Sequence, residues 1–183
     1  VSLIERQVQV LRQQLDAMQG RFDDMVSTAR ENELLQERLH SISLVVASAA
    51  SFDAAQSTIS DLLKKEFDIE YVNIEFAQDH GAGRETAEGW GLLHDRVSHG
   101  KSVCDDRLPI RAMQVLFQDD ASSVASCAVI PLPDSNGGVL GIIGLGSTQS
   151  TRFHHAMGTL YLDRLGELIS TGLQRLKENA RAA

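Results

Sequence analysis

The chain is poor in cysteine, in clustered positive charge and in long apolar runs, and each shortage removes a class of function. Two cysteines in 183 residues are not a disulfide framework, so a reducing cytoplasm is the default expectation. Lysine and arginine number 17 against 25 acidic residues, a formal net charge of -8. The nearest basic groupings are Lys64-Lys65 and the trio Arg175, Lys177 and Arg181. A nucleic-acid surface needs denser positive charge to displace counterions, so composition argues against nucleic-acid binding by this chain alone. No apolar run approaches the roughly 18 residues of a membrane helix. The N-terminus is charged and glutamine-rich, without a signal-peptide core. The chain begins at Val1, already in helical phase, and an upstream segment is expected to have been removed.

What is present suits a globular protein. Hydrophobic residues make up 43% and charged residues 23%, and this length accommodates one domain with a substantial core plus an extension. The extension announces itself first. Ile4, Val8, Leu11, Leu15, Met18, Phe22, Met25 and Ala29 alternate steps of four and three, the spacing of a coiled-coil seam. A helix this long cannot bury such a stripe alone, so the seam predicts a homodimer through paired N-terminal helices. The phase slips at Ala29, Asn32 and Leu35 before Leu39, Ile42 and Val46 resume it. A three-residue step overwinds a coiled coil and is read as the entry into the globular part. Gly20 is a candidate kink, since glycine costs about 1 kcal/mol in a helix interior.

Downstream, Ser51 is a candidate N-cap for a helix with Phe52, Ala55, Ile59, Leu62, Leu63 and Phe67 on one side. Val72, Ile74 and Phe76 then alternate with Tyr71, Asn73 and Glu75, the period of a strand with one buried face. Residues 79–103 hold Gly81, Gly83, Gly89, Gly91 and Gly100 and are expected to form a short strand among loops. Pro109 opens a short helix bearing Ile110, Met113, Leu116 and Phe117. A closing helix is expected from about Phe153 to Lys177, with apolar positions including Met157, Leu160, Leu165, Ile169 and Leu173.

The stretch SCAVIPLPDSNGGVLGIIGLGS, from Ser126 to Ser147, decides between a phosphate loop and a hairpin. Gly141, Gly146, Ser147 and Thr148 come near G-x4-G-K-[ST], but Ser147 stands where the phosphate-binding lysine belongs. Ile142, Ile143 and Leu145 between the glycines prefer a pleated, buried strand. The residues therefore predict two strands, Val124–Leu132 and Val139–Ser147, joined at Asn136-Gly137-Gly138. Glycines within the second strand mark the close approach of a helix.

This order of elements resembles GAF domains, and more closely a bacterial, GAF-like family, domain-of-unknown-function family 484. The resemblance rests on VSLIERQVQVLRQQL, ARENELLQERLH, SVASCAVIPL, LGIIGLGS and RFHHAMGTLYLDRLGEL, which together span nearly the whole chain. It implies an α+β fold: an antiparallel sheet with helices packed on one face, preceded by a long coiled-coil helix. Residues 1–46 are assigned to that helix and 47–183 to the GAF-like domain. The NKFDE-type motif of cyclic-nucleotide-binding members is missing. The cysteine-histidine pair of bilin-binding members is missing too, since Asp105 follows Cys104 and Ala128 follows Cys127. No cofactor is implied.

Candidate chemistry is thin. GKSVCDDRLP around Cys104 is similar to the cysteine turn of GAF-fold free-methionine-sulfoxide reductases, with Cys127 as a resolving thiol. However, Asp105 replaces the glycine of that turn and Asp106 follows, and adjacent carboxylates disfavour a thiolate. His94, His99 and Cys104 are five apart, a spacing that neither helix nor strand brings onto one face, so no metal site is expected. His154-His155 and the acidic pairs Asp105-Asp106 and Asp119-Asp120 read as surface charge. Trp90, the single tryptophan, lies where GAF-like folds build a pocket lid, and a core plug is its simplest role. Trp90, His99, Cys104 and Phe117 are the candidate pocket wall. The expected function is a non-enzymatic sensory or regulatory module that binds a small ligand. The alternatives are a ligand-free dimeric scaffold and, more weakly, a thiol redox enzyme of the methionine-sulfoxide reductase type.

Overall fold

The computed structural model describes residues 3–80, 84–105, 108–155 and 158–182. By internal contacts the chain divides into two compact units, Val1–Leu39 and His40–Ala183. Helix α1, Leu3–Ser48, makes up the first unit and supplies residues 40–48 to the second. It passes through Gly20 and through the phase slip without interruption. In the first unit the seam residues Ile4, Val8, Leu11, Leu15, Met18, Phe22 and Met25 are all exposed, Met18 at 73%. In the second unit the resumed stripe is covered: Ile42 is fully buried and Val46 nearly so.

Ser51 caps helix α2, Phe52–Phe67, its hydroxyl accepting the Ala54 N–H at 3.3 Å. Ala55, Ile59, Leu63 and Phe67, four residues apart, form the buried stripe of this helix. It stops at Asp68, whose left-handed backbone, φ 50°, returns its N–H to the Lys64 carbonyl. Strand β1, Tyr71–Phe76, follows, and then helix α3, Arg84–Val97. The remaining elements are strand β2, Val103–Asp105, helix α4, Ile110–Phe117, the hairpin strands β3, Ser126–Pro133, and β4, Val139–Ser147, and helix α5, Leu160–Ala182.

The four strands form one antiparallel sheet in the order β1-β4-β3-β2. The stretch in question is thus the centre of a sheet, with Cys127 opposite Gly146 and Ile130 opposite Ile143. Gly137, at φ 82°, supplies the left-handed residue of the turn, and the Asp134 N–H closes onto the Gly138 carbonyl at 2.8 Å. The expected helix approach is met by α4. Leu116 lies over Gly144 and the Phe117 ring over Gly146, where an added Cβ would come within 3.1 and 2.9 Å of them.

Helices cover both faces. α5 packs on β3 with Gly166 against the Pro131 carbonyl and Ile130. α2 joins the same side, its Phe67 ring 5.7 Å from Tyr161. On the opposite face α3 and α4 close over Cys127, Val129 and Ile142 through Leu93, Val97, Met113, Val115 and Leu116.

Three expectations need correcting. The glycine-rich segment after residue 83 is helix α3, with Gly81 and Gly83 outside the described residues. Gly89 serves packing, since a Cβ there would stand 2.6 Å from both the Arg111 carbonyl and Val115 of α4, whereas a Cβ at Gly91 would meet open space. Second, the closing helix starts at Leu160 rather than near Phe153. Phe153 is buried in the preceding turn, its N–H donating to Ser126 Oγ at 3.2 Å, and Met157 lies outside the described residues. Third, the first hairpin strand begins at Ser126 rather than Val124, and Pro109 caps α4 from outside.

Candidate functional site

The two thiols occupy opposite faces of the sheet. Cys127 points toward α4, its Sγ 3.9 Å from Met113 Sδ and donating to the Asp105 carbonyl at 3.4 Å. Cys104 pairs with Ala128, the neighbour of Cys127 in β3, and successive side chains of a strand alternate faces. Burial pushes the Cys127 thiol up to about 12, helped by the nearby Asp105 carboxylate and Cys104. Burial raises Cys104 as well. Both shifts run away from an activated thiolate, and the two side chains lie on opposite faces of the sheet.

The four residues chosen as a pocket wall are distributed as follows. Trp90, on α3, is partly buried against the apolar cluster that contains Phe117. Phe117 ends α4 under the Tyr71 ring, with centroids 6.4 Å apart. Cys104 sits on the α5 side of the sheet, and His99 is exposed in the turn after α3, beside Ser98. The structure brings Trp90 and Phe117 into one cluster and separates both from Cys104 and His99. His94 lies in the last turn of α3, Asp106 lies outside the described residues, and no three metal-ligating side chains converge among the described ones.

The concavity with chemical variety lies at the free edge of β1. It has a volume of about 330 Å³ and is lined by Lys64, Glu70, Tyr71, Val72, Asn73, Leu116, Phe117, Gln118, Asp119 and Asp120. The last turn of α2 supplies Lys64. The end of α4 supplies the opposite wall, and Asn73 ties that wall to the strand by donating from Nδ2 to the Leu116 carbonyl at 2.9 Å. Gln118 carries the chain away from α4 at φ 49° and ψ -119°, a positive-φ conformation outside the left-handed helical well. A residue with a Cβ held there costs on the order of 1–3 kcal/mol. Glu70 accepts from Thr148 Oγ1 at 2.6 Å, and that bond leads the causes that lower its carboxyl below the ordinary value. The middle of this edge is closed to strand addition: the Ile74 N–H donates to Asn73 Oδ1 at 2.9 Å and its carbonyl accepts from Gln56 Nε2 at 3.1 Å.

Of the four residues expected in a pocket wall, Phe117 is the one that lines this cleft. Lys64, Asn73 and Gln118 come from three elements with no shared motif, and only an arrangement in space joins them.

An antiparallel sheet between α2/α5 and α3/α4 defines a GAF fold, and comparison with solved structures agrees. The GAF domain of an Acinetobacter phosphoenolpyruvate-protein phosphotransferase superposes with a TM-score of 0.57 at 14% identity, covering 80% of this chain and 97% of that one. The GAF domain of the potassium sensor histidine kinase KdpD from Escherichia coli gives 0.52 at 15%, covering 79% and 96%. A free methionine-R-sulfoxide reductase from Neisseria meningitidis, in complex with its substrate, gives 0.55 at 16%, covering 79% and 91%. Identities this low establish the fold alone. The particular family is set by sequence: residues 1–178 match the model described as "Protein of unknown function, DUF484", and the chain belongs to that family. No curated protein matches it. No helix among the described residues is long and apolar enough to cross a membrane.

Proposed function

We propose that this chain is a non-catalytic regulatory module, cytoplasmic, which self-associates through the first unit of α1 and takes a small polar ligand in the β1-edge cleft. The observation that carries the reading is the exposed seam. Seven large apolar residues at heptad spacing, from Ile4 to Met25, stand more than 40% exposed along one side of the helix. Surface apolar residues scattered singly need no explanation, whereas a continuous stripe calls for a partner. The cleft supports the second half. Its volume falls within the range of small-molecule sites, and its wall offers an ammonium from Lys64 and carboxylates from Asp119 and Asp120. A ligand regulates only by binding one helix arrangement better than another.

The raised thiols and their placement on opposite faces speak against redox catalysis. The filling of the α3/α4 side by Leu93, Val97 and Leu116 favours the second reading, a scaffold that associates without any ligand.

Light scattering on the full chain tests association: a dimer at micromolar concentration is expected, and Leu11→Asp with Phe22→Asp should reduce it to monomer. A monomeric parent chain overturns the reading. Thermal shifts with free amino acids and nucleotides as probes test the cleft. A shift that vanishes in Lys64→Ala/Asp120→Ala supports the regulatory module, because a ligand stabilises by RT ln(1 + [L]/Kd). A flat response to every probe favours the scaffold.

A further inference from the structure

We infer that the self-association surface of α1 pairs with a second copy of itself in antiparallel orientation, with Leu15 packed against Met18 of the second copy at the centre. This deepens, and rests on, the reading of the exposed seam as a homodimer surface. The inference comes from the sizes of the seam residues. A parallel, in-register pair would stack each residue on its own copy, so one layer would hold two Phe22 rings and another two Ala29 methyls. Coiled-coil holes have nearly constant size, and a layer too large or too small is strained or leaves a void. In the antiparallel register Ile4 faces Ala29, Val8 faces Met25, Leu11 faces Phe22 and Leu15 faces Met18, each twice by symmetry. Every layer then joins a larger side chain to a smaller or flexible one, which is how facing positions fill a core evenly.

Charge does not decide the orientation: the second half of this unit carries Arg21, Arg30 and Arg38 beside Asp23, Asp24, Glu31, Glu33 and Glu37, and the first carries Glu5 and Asp16 beside Arg6 and Arg12. Opposed helix dipoles favour the antiparallel pair by a small amount. The flanking e and g positions do not oppose this register: Arg12 meets Gln19, Gln7 meets Thr28 and Gln14 meets Arg21, with no like charges facing. The seam also ends at Ala29, one step before Asn32, so no amide enters the interface.

Nitroxide labels at Arg6→Cys and, separately, at Gln13→Cys in the full chain read the orientation. Both positions are exposed on the face away from the seam, so neither substitution threatens folding, and the native cysteines are buried. At 1.5 Å per residue the antiparallel register separates the two Arg6→Cys labels by about 32 Å along the axis, and the two Gln13→Cys labels by about 10 Å. A long distance at position 6 with a short one at position 13 is the expected result. Two short, similar distances would mean a parallel pair, ending this inference while leaving self-association intact. Absence of any dipolar coupling up to the concentration of the scattering experiment would end both.

Discussion

Helix α1 carries the same apolar rhythm at both ends and uses it in opposite ways. Phe22 is 64% exposed, and Ile42, in the same helix, is completely buried. Both stretches have the four-three spacing, and both belong to one unbroken helix. The difference lies in what the chain itself supplies to cover them. Ile42 and Val46 lie in the unit that contains α5, where Gly172 allows a close crossing, whereas no second helix of this chain belongs to the unit that holds Phe22. Apolar periodicity therefore reports that a helix face is to be buried, and says nothing about whether the cover is intramolecular.

Substitution separates the two uses most sharply. Ile42→Ala removes a fully buried branched side chain, and large-to-small changes at such sites cost about 2–5 kcal/mol of folding stability. Urea unfolding should show that loss, with association undiminished under folding conditions. Leu15→Ala, measured at a protein concentration too low for association, should stay within about 0.5 kcal/mol of the parent chain, as exposed positions do. Equal losses at the two sites would mean that the seam is covered within the chain, and the comparison would collapse.

A smaller effect tests the cover itself. An added Cβ at Gly172 would lie 1.7 Å from Val46 Cγ1, and Val46 is too short and too buried to swing away. Overpacking costs about 1–3 kcal/mol, and alanine returns about 1 kcal/mol of helix propensity, so Gly172→Ala should lose up to about 2 kcal/mol. Val46→Ala loses stability alone, but in the double variant the two losses should fall short of additive. Strict additivity in a double-mutant cycle would deny the crossing.

What could be read from residues alone follows the range over which each signal acts. The long N-terminal helix, α2 with its Ser51 cap, β1 and the β3–β4 hairpin are written in local periodicity and turn chemistry, and they emerge close to their expected positions. Helix α3 was hidden because Gly89 and Gly91 read as loop signals. Only the position of Arg111 and Val115 on α4 explains Gly89. The start of α5 was misplaced because Phe153 looks like a helical position, although its burial comes from the turn that bonds to Ser126. Among the residues lining the cleft, Phe117 alone belongs to the expected pocket wall. The positive φ at Gln118 and the bond from Asn73 to Leu116 depend on tertiary placement, which no short pattern encodes.

The smallest effect concerns the buried side of the comparison and is read through pH. Cys127 is raised to about 12 in the folded chain, against an unfolded value near 8.5–9. The folded state therefore holds its proton more tightly than the unfolded state does. The stability tied to this thiol is fully present below about pH 8.5, and is lost as pH rises toward the folded value. Over that window each pH unit removes at most about 1.4 kcal/mol, so a step from pH 8 to pH 10 should cost on the order of 1–2 kcal/mol through this group. Tyrosines and lysines titrate nearby, so the measurement is the difference in alkaline slope between the parent chain and Cys127→Ala, by urea unfolding at matched pH values. The variant loses some packing at every pH, but its stability should fall less steeply above pH 8.5. Parallel slopes would mean that the thiol is as accessible to ionisation in the fold as in the unfolded chain. The α3/α4 side would then be open where Leu93, Met113 and Leu116 are said to seal it, and the redox reading would regain its nucleophile.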